Sequence, residues 1–331
     1  MFTKRSLFWV GLLILSFILI QGNVRPSCAQ SQQSVMKLRL GEVDPPESPF
    51  VIAEYSLAKK LKEKTNGRID ITVYPAGQLG NDKAVAEGVK LGTISMAVAG
   101  TTSSKVTDAF YLPYLFRDAE HQRRVMGGPV GQAIKERFNK DTGMIMIGGA
   151  YFAARHLTTK DREVKSPADL KGLRVRVPQI PAMVATWKAL GASPTPINFT
   201  ELFTALQQGT VDAQENPYSL ILMNSYFEVQ KYLIQTYHVL PMRFFFVNDK
   251  LWSRLTKEDQ MLFVKTWEEE AVNIEKMFME NEQKWLDQLK GKGMKVVAVD
   301  TKPFREAVRD VWKEYAPAAW GEGVYEKIQA Q

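Results

Sequence analysis

Residues 256–289 read TKEDQMLFVKTWEEEAVNIEKMFMENEQKWLDQL, a run of 34 residues with no glycine and no proline. Thr256 stands three positions before Asp259, so the run opens with an N-cap residue and first-turn acids, which the positive end of a helix dipole favours. Val264, Trp267, Ala271, Ile274, Phe278, Trp285 and Leu289 then step by 3, 4, 3, 4, 7 and 4, which keeps them on one helical face. At about 1.5 Å per residue, an unbroken helix of this length is about 50 Å long. A lobe of ~150 residues is only about 30–35 Å across, so such a helix overruns one lobe and braces two. A break near Met279 to Gln283, or a coiled-coil dimer seam, would satisfy the same pattern.

Upstream, short apolar strands alternate with helices. Met36, Leu38 and Leu40 alternate as a strand. Phe50 to Lys64 is helical and stops at Asn66-Gly67, a helix-end signal. Ile69 to Tyr74 is a strand, Asp82 to Leu91 a helix closed by Gly92, and Ile94 to Ala99 a third strand. This succession predicts a parallel, open α/β sheet, whose ligands sit at the carboxyl ends of its strands. The alternation resumes with strands at Met144 to Ile147 and Leu173 to Val177. Helices follow at Ala182 to Leu190, Thr200 to Gln208 and near Tyr218 to Val229, with apolar strands near Leu233 to Leu240 and Phe244 to Asn248. Two sheets fit 331 residues, and neither stretch is a copy of the other.

The amino terminus has a different composition. Lys4-Arg5 precede an unbroken apolar run from Leu7 to Ile20, and a polar stretch ends at Ser27-Cys28-Ala29, the n-, h- and c-regions of a secretory signal. The run is shorter than the ~20 residues needed to span hydrocarbon, and cleavage is placed after Ala29. Arg25-Pro26-Ser27 lacks the small and aliphatic residues expected before a lipid-modified Cys28. Loss of residues 1–29 takes the formal charge from +7 to +4, a mild excess with no basic cluster interleaved with aromatics, which argues against nucleic acid. The only cysteine lies in this leader, so the mature chain has no disulfide, no thiolate metal ligand and no cysteine nucleophile.

Hydrophobic residues at 45% and charged residues at 24% exclude a disordered, collagenous or multi-spanning chain. No Gly-x-Ser-x-Gly elbow, His-Glu-x-x-His helix, Walker loop or Gly-x-Gly-x-x-Gly turn is present. His121, His156 and His238 are far apart, and none has a metal-type partner at i+2 to i+4. Enzyme therefore stands second to binding protein, carried only by the 36 acids, any two of which could meet in space.

Three runs carry a family resemblance: Tyr74-Pro75-Ala76-Gly77-Gln78-Leu79-Gly80; Lys165-Ser166-Pro167-Ala168-Asp169-Leu170-Lys171-Gly172-Leu173-Arg174-Val175-Arg176-Val177-Pro178; and Leu190 to Pro196, continuing through Phe199-Thr200-Glu201-Leu202 to Gln214-Glu215-Asn216-Pro217 and Glu228 to Tyr232. From Met36 to Tyr315 the chain resembles the dicarboxylate-binding-type solute-binding proteins of tripartite ATP-independent periplasmic (TRAP) transporters. The resemblance implies an α/β, two-lobed, type II-like venus-flytrap fold with a long helix spanning both lobes. Lobe I would comprise 30–153 and 241–280, lobe II 154–240 and 281–331. It implies a monomeric periplasmic receptor without catalysis, cofactor or metal, which closes on a small organic acid and delivers it to small and large integral membrane subunits driven by an ion gradient. An ABC-type importer receptor, which shares the flytrap architecture, and an envelope enzyme are the competing readings.

Arg176 ends the strand from Leu173, and its guanidinium fork offers paired donors in one plane to a carboxylate. Arg174, two residues nearer the start of the strand, is expected at the surface. By resemblance Arg176 makes a two-pronged salt bridge with the ligand, Arg155 reaches the same carboxylate, Asn216 hydrogen-bonds the ligand and Phe199 packs on its carbon skeleton. Ala153 departs from a position usually taken by glycine. Gln179, Tyr218, Thr101 and Ser48 complete the expected cleft. Gly100 stands where sialic-acid binders carry glutamate, which argues for another acid: a dicarboxylate, a keto or hydroxy acid, a sugar acid or an aromatic acid.

Overall fold

The computed structural model describes residues 34–331; the leader read from residues 1–29 lies outside them. Two mixed sheets organise the chain. The first contains β1 (Met36–Gly41), β2 (Ile69–Tyr74), β3 (Met96–Ala99), β4 (Met144–Tyr151) and β10 (Met242–Asn248), in the order β2-β1-β3-β10-β4. The second contains β5 (Arg155–Thr159), β6 (Arg174–Val177), β7 (Ser193–Pro196), β8 (Ala213–Asn216), β9 (Tyr232–Val239) and β11 (Lys295–Ala298), in the order β11-β9-β5-β8-β6-β7.

The β-α-β-α-β start is parallel as expected, with β1 paired to both β2 and β3. Each sheet nevertheless holds antiparallel pairs: β10 runs against β3 and β4, and β5 runs against β8 and β9. The cause is the crossing of the chain between sheets. It leaves β4 for β5 through residues 152–154 and returns from β9 to β10 through residues 240–241, so a strand made late in the chain is inserted beside strands made early.

Local chemistry sets the helix ends. Ser48 caps the helix Pro49–Lys64 by accepting from Val51 N, and Pro49 occupies its first turn, where its missing N–H is no loss. Asn81 caps Asp82–Leu91 in the same way, and Gly92 closes that helix at φ 81°, the left-handed conformation a glycine adopts without strain.

The helix read from Thr256 is unbroken over Lys257–Gly291, and Thr256 Oγ1 accepts from Asp259 N at 3.1 Å. At about 1.5 Å per residue it is about 52 Å long. Phe263, Trp267, Ile274 and Phe278 pack into the core beneath the first sheet, with Phe50, Leu57 and Phe245. Leu286 and Leu289 enter a separate core with Leu202, Leu206, Tyr226 and Leu233 of the second. The helix thus serves both sheets, and neither the break near Met279 nor a dimer seam is needed to bury its face. Two contacts invisible to periodicity fix its rotation: Arg68 makes a two-pronged pair with Asp259 at 2.8 and 2.6 Å, and buried Glu270 receives Lys60 at 2.8 Å and the Ser56 hydroxyl at 2.6 Å.

The C-terminal helices Trp312–Trp320 and Val324–Gln329, expected with the second lobe, pack against helices 105–111 and 129–142 beside the first sheet. Trp320 Nε1 donates to Val106 O at 3.0 Å and Gln329 Nε2 to Leu115 O at 2.6 Å. Among the described residues no helix is long and apolar enough to cross a membrane.

Candidate functional site

Between the sheets lies a cavity, open on one side to solvent and walled by residues of both. From the first sheet and its loops come Asp44, Asp82, Gly100, Thr101, Tyr111 and Arg243; from the second come Arg155, Arg176, Phe199 and Asn216. Phe152, Leu220 and Ile180 supply apolar lining.

Arg176 sits in β6, in register with Gln214 of β8 and Thr195 of β7. It is 2% exposed. Its Nε donates to Ile197 O at 2.8 Å, and its two terminal nitrogens find no protein acceptor among the described residues. Burial depresses its pKa below the ordinary arginine value, outweighing the opposing pull of Tyr226, Glu215 and Asp82, none of which hydrogen-bonds it. A desolvated cation lining a cavity without a counter-ion is a site for an anion. Arg174, at the opposite, amino-terminal end of β6, is exposed and pairs with Asp212 at 2.8 and 2.5 Å.

Arg155, which opens β5, is held differently. Its Nε donates to Glu215 Oε2 at 2.5 Å, and its Nη2 to Glu215 Oε1 at 2.9 Å, Glu215 O at 2.7 Å and Asn216 Oδ1 at 2.9 Å. Burial opposes its charge, yet Glu215 carries its pKa above the usual value. Burial likewise pushes Glu215 up, but Arg155 and a hydrogen bond from His238 at 3.1 Å hold it net below the carboxylate range. Only Nη1 of Arg155 is left without an acceptor among the described residues. Asn216 is also tied down, its Nδ2 donating to Gln214 Oε1 at 2.6 Å.

Thr101 lines the cavity and donates to Asp108 Oδ1 at 2.5 Å. Phe199 lines it at the start of a short 3-10 turn. Three expected residues do not reach it. Gln179 is exposed, one residue beyond the turn at Pro178. Ser48 is buried as the cap of Pro49–Lys64. Tyr218 stacks on His156 at 4.2 Å and receives Gln235 Nε2 at 2.7 Å on its hydroxyl.

Asp44, Asp82, Tyr111 and Arg243 escape the sequence reading. Asp44 had a usable signal, since it follows the carboxyl end of β1, as Arg176 lies at the carboxyl end of β6. Arg243 had none: it lies inside antiparallel β10, where it donates to Asp44 Oδ2 and Glu42 Oε1, both at 2.5 Å, and to Val98 O at 3.2 Å. Burial opposes its charge, and Asp44 and Glu42 raise its pKa despite that. Behind it, burial pushes Glu42 up to about 7 and Glu54, its neighbour, well above the carboxylate range. The Tyr111 hydroxyl lies where a side chain at Gly100 would be, and a Cβ at that position would collide with it. Burial raises Tyr111 to about 12, leaving a neutral phenol.

Residues 40–318 match the family model described as bacterial extracellular solute-binding protein, family 7. The 2,3-diketo-L-gulonate-binding periplasmic protein of Escherichia coli is 32% identical over 300 residues, covering 87% of this chain and 90% of that one. A TRAP periplasmic solute-binding protein from a Polaromonas species, solved with D-erythronate, superposes with a TM-score of 0.84 at 32% identity, covering 89% of this chain and 98% of that one. One from Roseobacter denitrificans, solved with L-galactonate, gives 0.83 at 31% identity, covering 90% and 99%. With its two mixed sheets, its bracing helix and a cation-lined cavity between them, the chain belongs to family 7 of the bacterial extracellular solute-binding proteins, the TRAP receptors.

Proposed function

We infer that this receptor captures the carboxylate of one small organic acid in the cavity between the sheets, with Arg176 as the clamp. Asn216 and the free Nη1 of Arg155 add polar contacts, Phe199 packs on the carbon skeleton, and the acid is released unchanged to the small and large membrane subunits. The lobes close over it about the crossings at 152–154 and 240–241, and residues 1–29 direct the chain to the periplasm. One observation carries the reading: a fully desolvated arginine with no acidic partner faces a cavity that two sheets enclose. The solved relatives with acids bound support it, and nothing in them favours the ABC-type alternative.

Purified residues 30–331 are expected to show a raised unfolding midpoint with acids of one class and none with neutral sugars or amino acids. Arg176→Ala should weaken binding of that class by about 2–4 kcal/mol, the scale for removing one partner of a buried charge pair. Undiminished binding in that variant would refute the assignment.

A further inference from the structure

Three arginines line the cavity, but their charges are not equally available. Arg155 is neutralised by Glu215, and Arg243 by Asp44 and Glu42. Arg176 alone is left over, so the cavity has room for one ligand carboxylate. The wall contributed by the first sheet is of opposite character, with Asp44 and Asp82 facing the same space. Asp44 is 2% exposed. Its Oδ2 is taken by Arg243 at 2.5 Å, while no protein donor among the described residues reaches its Oδ1. Arg243 cannot turn toward a ligand anion without leaving Glu42, to which it is bound at 2.5 Å, and it is wedged beside Phe50 and Phe152, at 4.8 and 5.6 Å from their ring centres.

We propose that Asp44, held in place by Arg243, reads a hydroxyl on the part of the ligand that faces the first sheet, and that the substrate class is therefore the polyhydroxylated monocarboxylates, with dicarboxylates rejected. A buried carboxylate oxygen needs a donor, and an alcohol supplies one in a short, charge-assisted hydrogen bond. A second ligand carboxylate there has no proton to give and meets Asp44 and Asp82 with no free cation, so like-charge repulsion excludes it. An acid without hydroxyls leaves Asp44 Oδ1 desolvated and without a donor, which a site built to accept a hydroxyl penalises heavily. The proposal rests on Arg176 as the carboxylate clamp.

The test is a set of dissociation constants for residues 30–331 measured by titration calorimetry. The probes are L-galactonate and D-erythronate, each set against the dicarboxylate that carries a carboxylate in place of its terminal CH₂OH (galactarate and meso-tartrate), with hexanoate as the acid lacking hydroxyls. The better-bound hydroxy acid is expected to bind at least ten-fold tighter than its dicarboxylate and at least a hundred-fold tighter than hexanoate. Asp44→Asn should shrink the preference over the dicarboxylate at least ten-fold, because it removes the repelling charge and frees Arg243. A dicarboxylate or hexanoate that matches the hydroxy acid on the unaltered protein overturns the proposal, and that comparison needs no variant to fold. An Asp44→Asn protein with an unchanged circular dichroism spectrum and an unchanged preference also overturns it. Failure of the unaltered protein to bind any acid, hydroxylated or not, instead refutes the carboxylate reading beneath it.

Discussion

Arg155 and Arg176 sit on strands either side of β8, line one cavity and are 4% and 2% exposed, yet their surroundings differ in kind. Around Arg155 every strong acceptor has been supplied: Glu215 takes two of its nitrogens, Asn216 and a carbonyl take further bonds, and His238 steadies Glu215 from behind. Around Arg176 there is one backbone carbonyl, from Ile197. A buried cation that the protein has already neutralised is part of the framework. One that it has left charged and unpaired depresses the stability of the empty protein and is repaid when an anion arrives. Arg243, across the cavity, belongs with Arg155, being gripped by Asp44 and Glu42.

The largest effect expected from this contrast is on the ligand-free protein. Arg155→Ala should destabilise it by about 3–5 kcal/mol in urea unfolding, because Glu215 is left as a buried, unpaired carboxylate. Arg176→Met should raise the stability of the empty protein, since it replaces an uncompensated charge by an apolar chain of similar length. A loss above ~2 kcal/mol for Arg176→Met would mean that the two arginines are structurally equivalent and would break the contrast.

The carboxyl pair behind Arg243 offers a sharper, intermediate test. Burial raises Glu42 to about 7 and raises Glu54 well above the carboxylate range, so the folded protein holds protons that the unfolded chain gives up near 4.3. Stability from this pair is complete below the unfolded value and is lost as pH rises towards about 7. His121 and His156, whose pKa values burial lowers, push the total curve the other way over the acid range. The informative quantity is therefore the difference between the unaltered protein and Glu54→Gln, whose amide mimics the neutral acid. The variant should gain relative stability between about pH 4.5 and 7. Parallel curves for the two proteins would show that Glu54 titrates as an ordinary acid.

The smallest effect is expected two residues from Arg176, at the exposed start of the same strand. Arg174→Ala removes an exposed ion pair with Asp212, and both the unfolding midpoint and acid binding should stay within error. A change in affinity would place Arg174, and not Arg176 alone, in contact with the ligand.

Much of this was legible along the chain. The long helix and its cap, the parallel start of the first sheet and the strand that carries Arg176 all follow from breakers, caps and periods of 3.6 and 2. The cavity-lining positions of Arg155, Arg176, Phe199, Asn216 and Thr101 match the motif-bearing segments. Ser48 and Tyr218 do not line the cavity, because a hydroxyl near a cleft is equally suited to capping a helix or finishing a buried stack, and Val51 N and His156 engage them instead. Gln179 lies just past the strand end, where the turn at Pro178 carries it outward.

Contiguous residues hold the information for elements whose bonds close locally: an N-cap reaches three residues ahead, and an apolar stripe is complete within one helix. The presence of three arginines and several acids is likewise written in the chain. Which arginine keeps its charge available is not, because its neutralising carboxylate comes from elsewhere in the fold: Glu215 reaches Arg155 across 60 positions and Asp44 reaches Arg243 across 199. Only when the crossings at 152–154 and 240–241 bring β10 back beside β3, and set β5 against β8, does Arg176 become the one left without a partner. Desolvation and pairing act through space, so the binding charge was settled by tertiary structure, while the strand that carries it was already readable in the sequence.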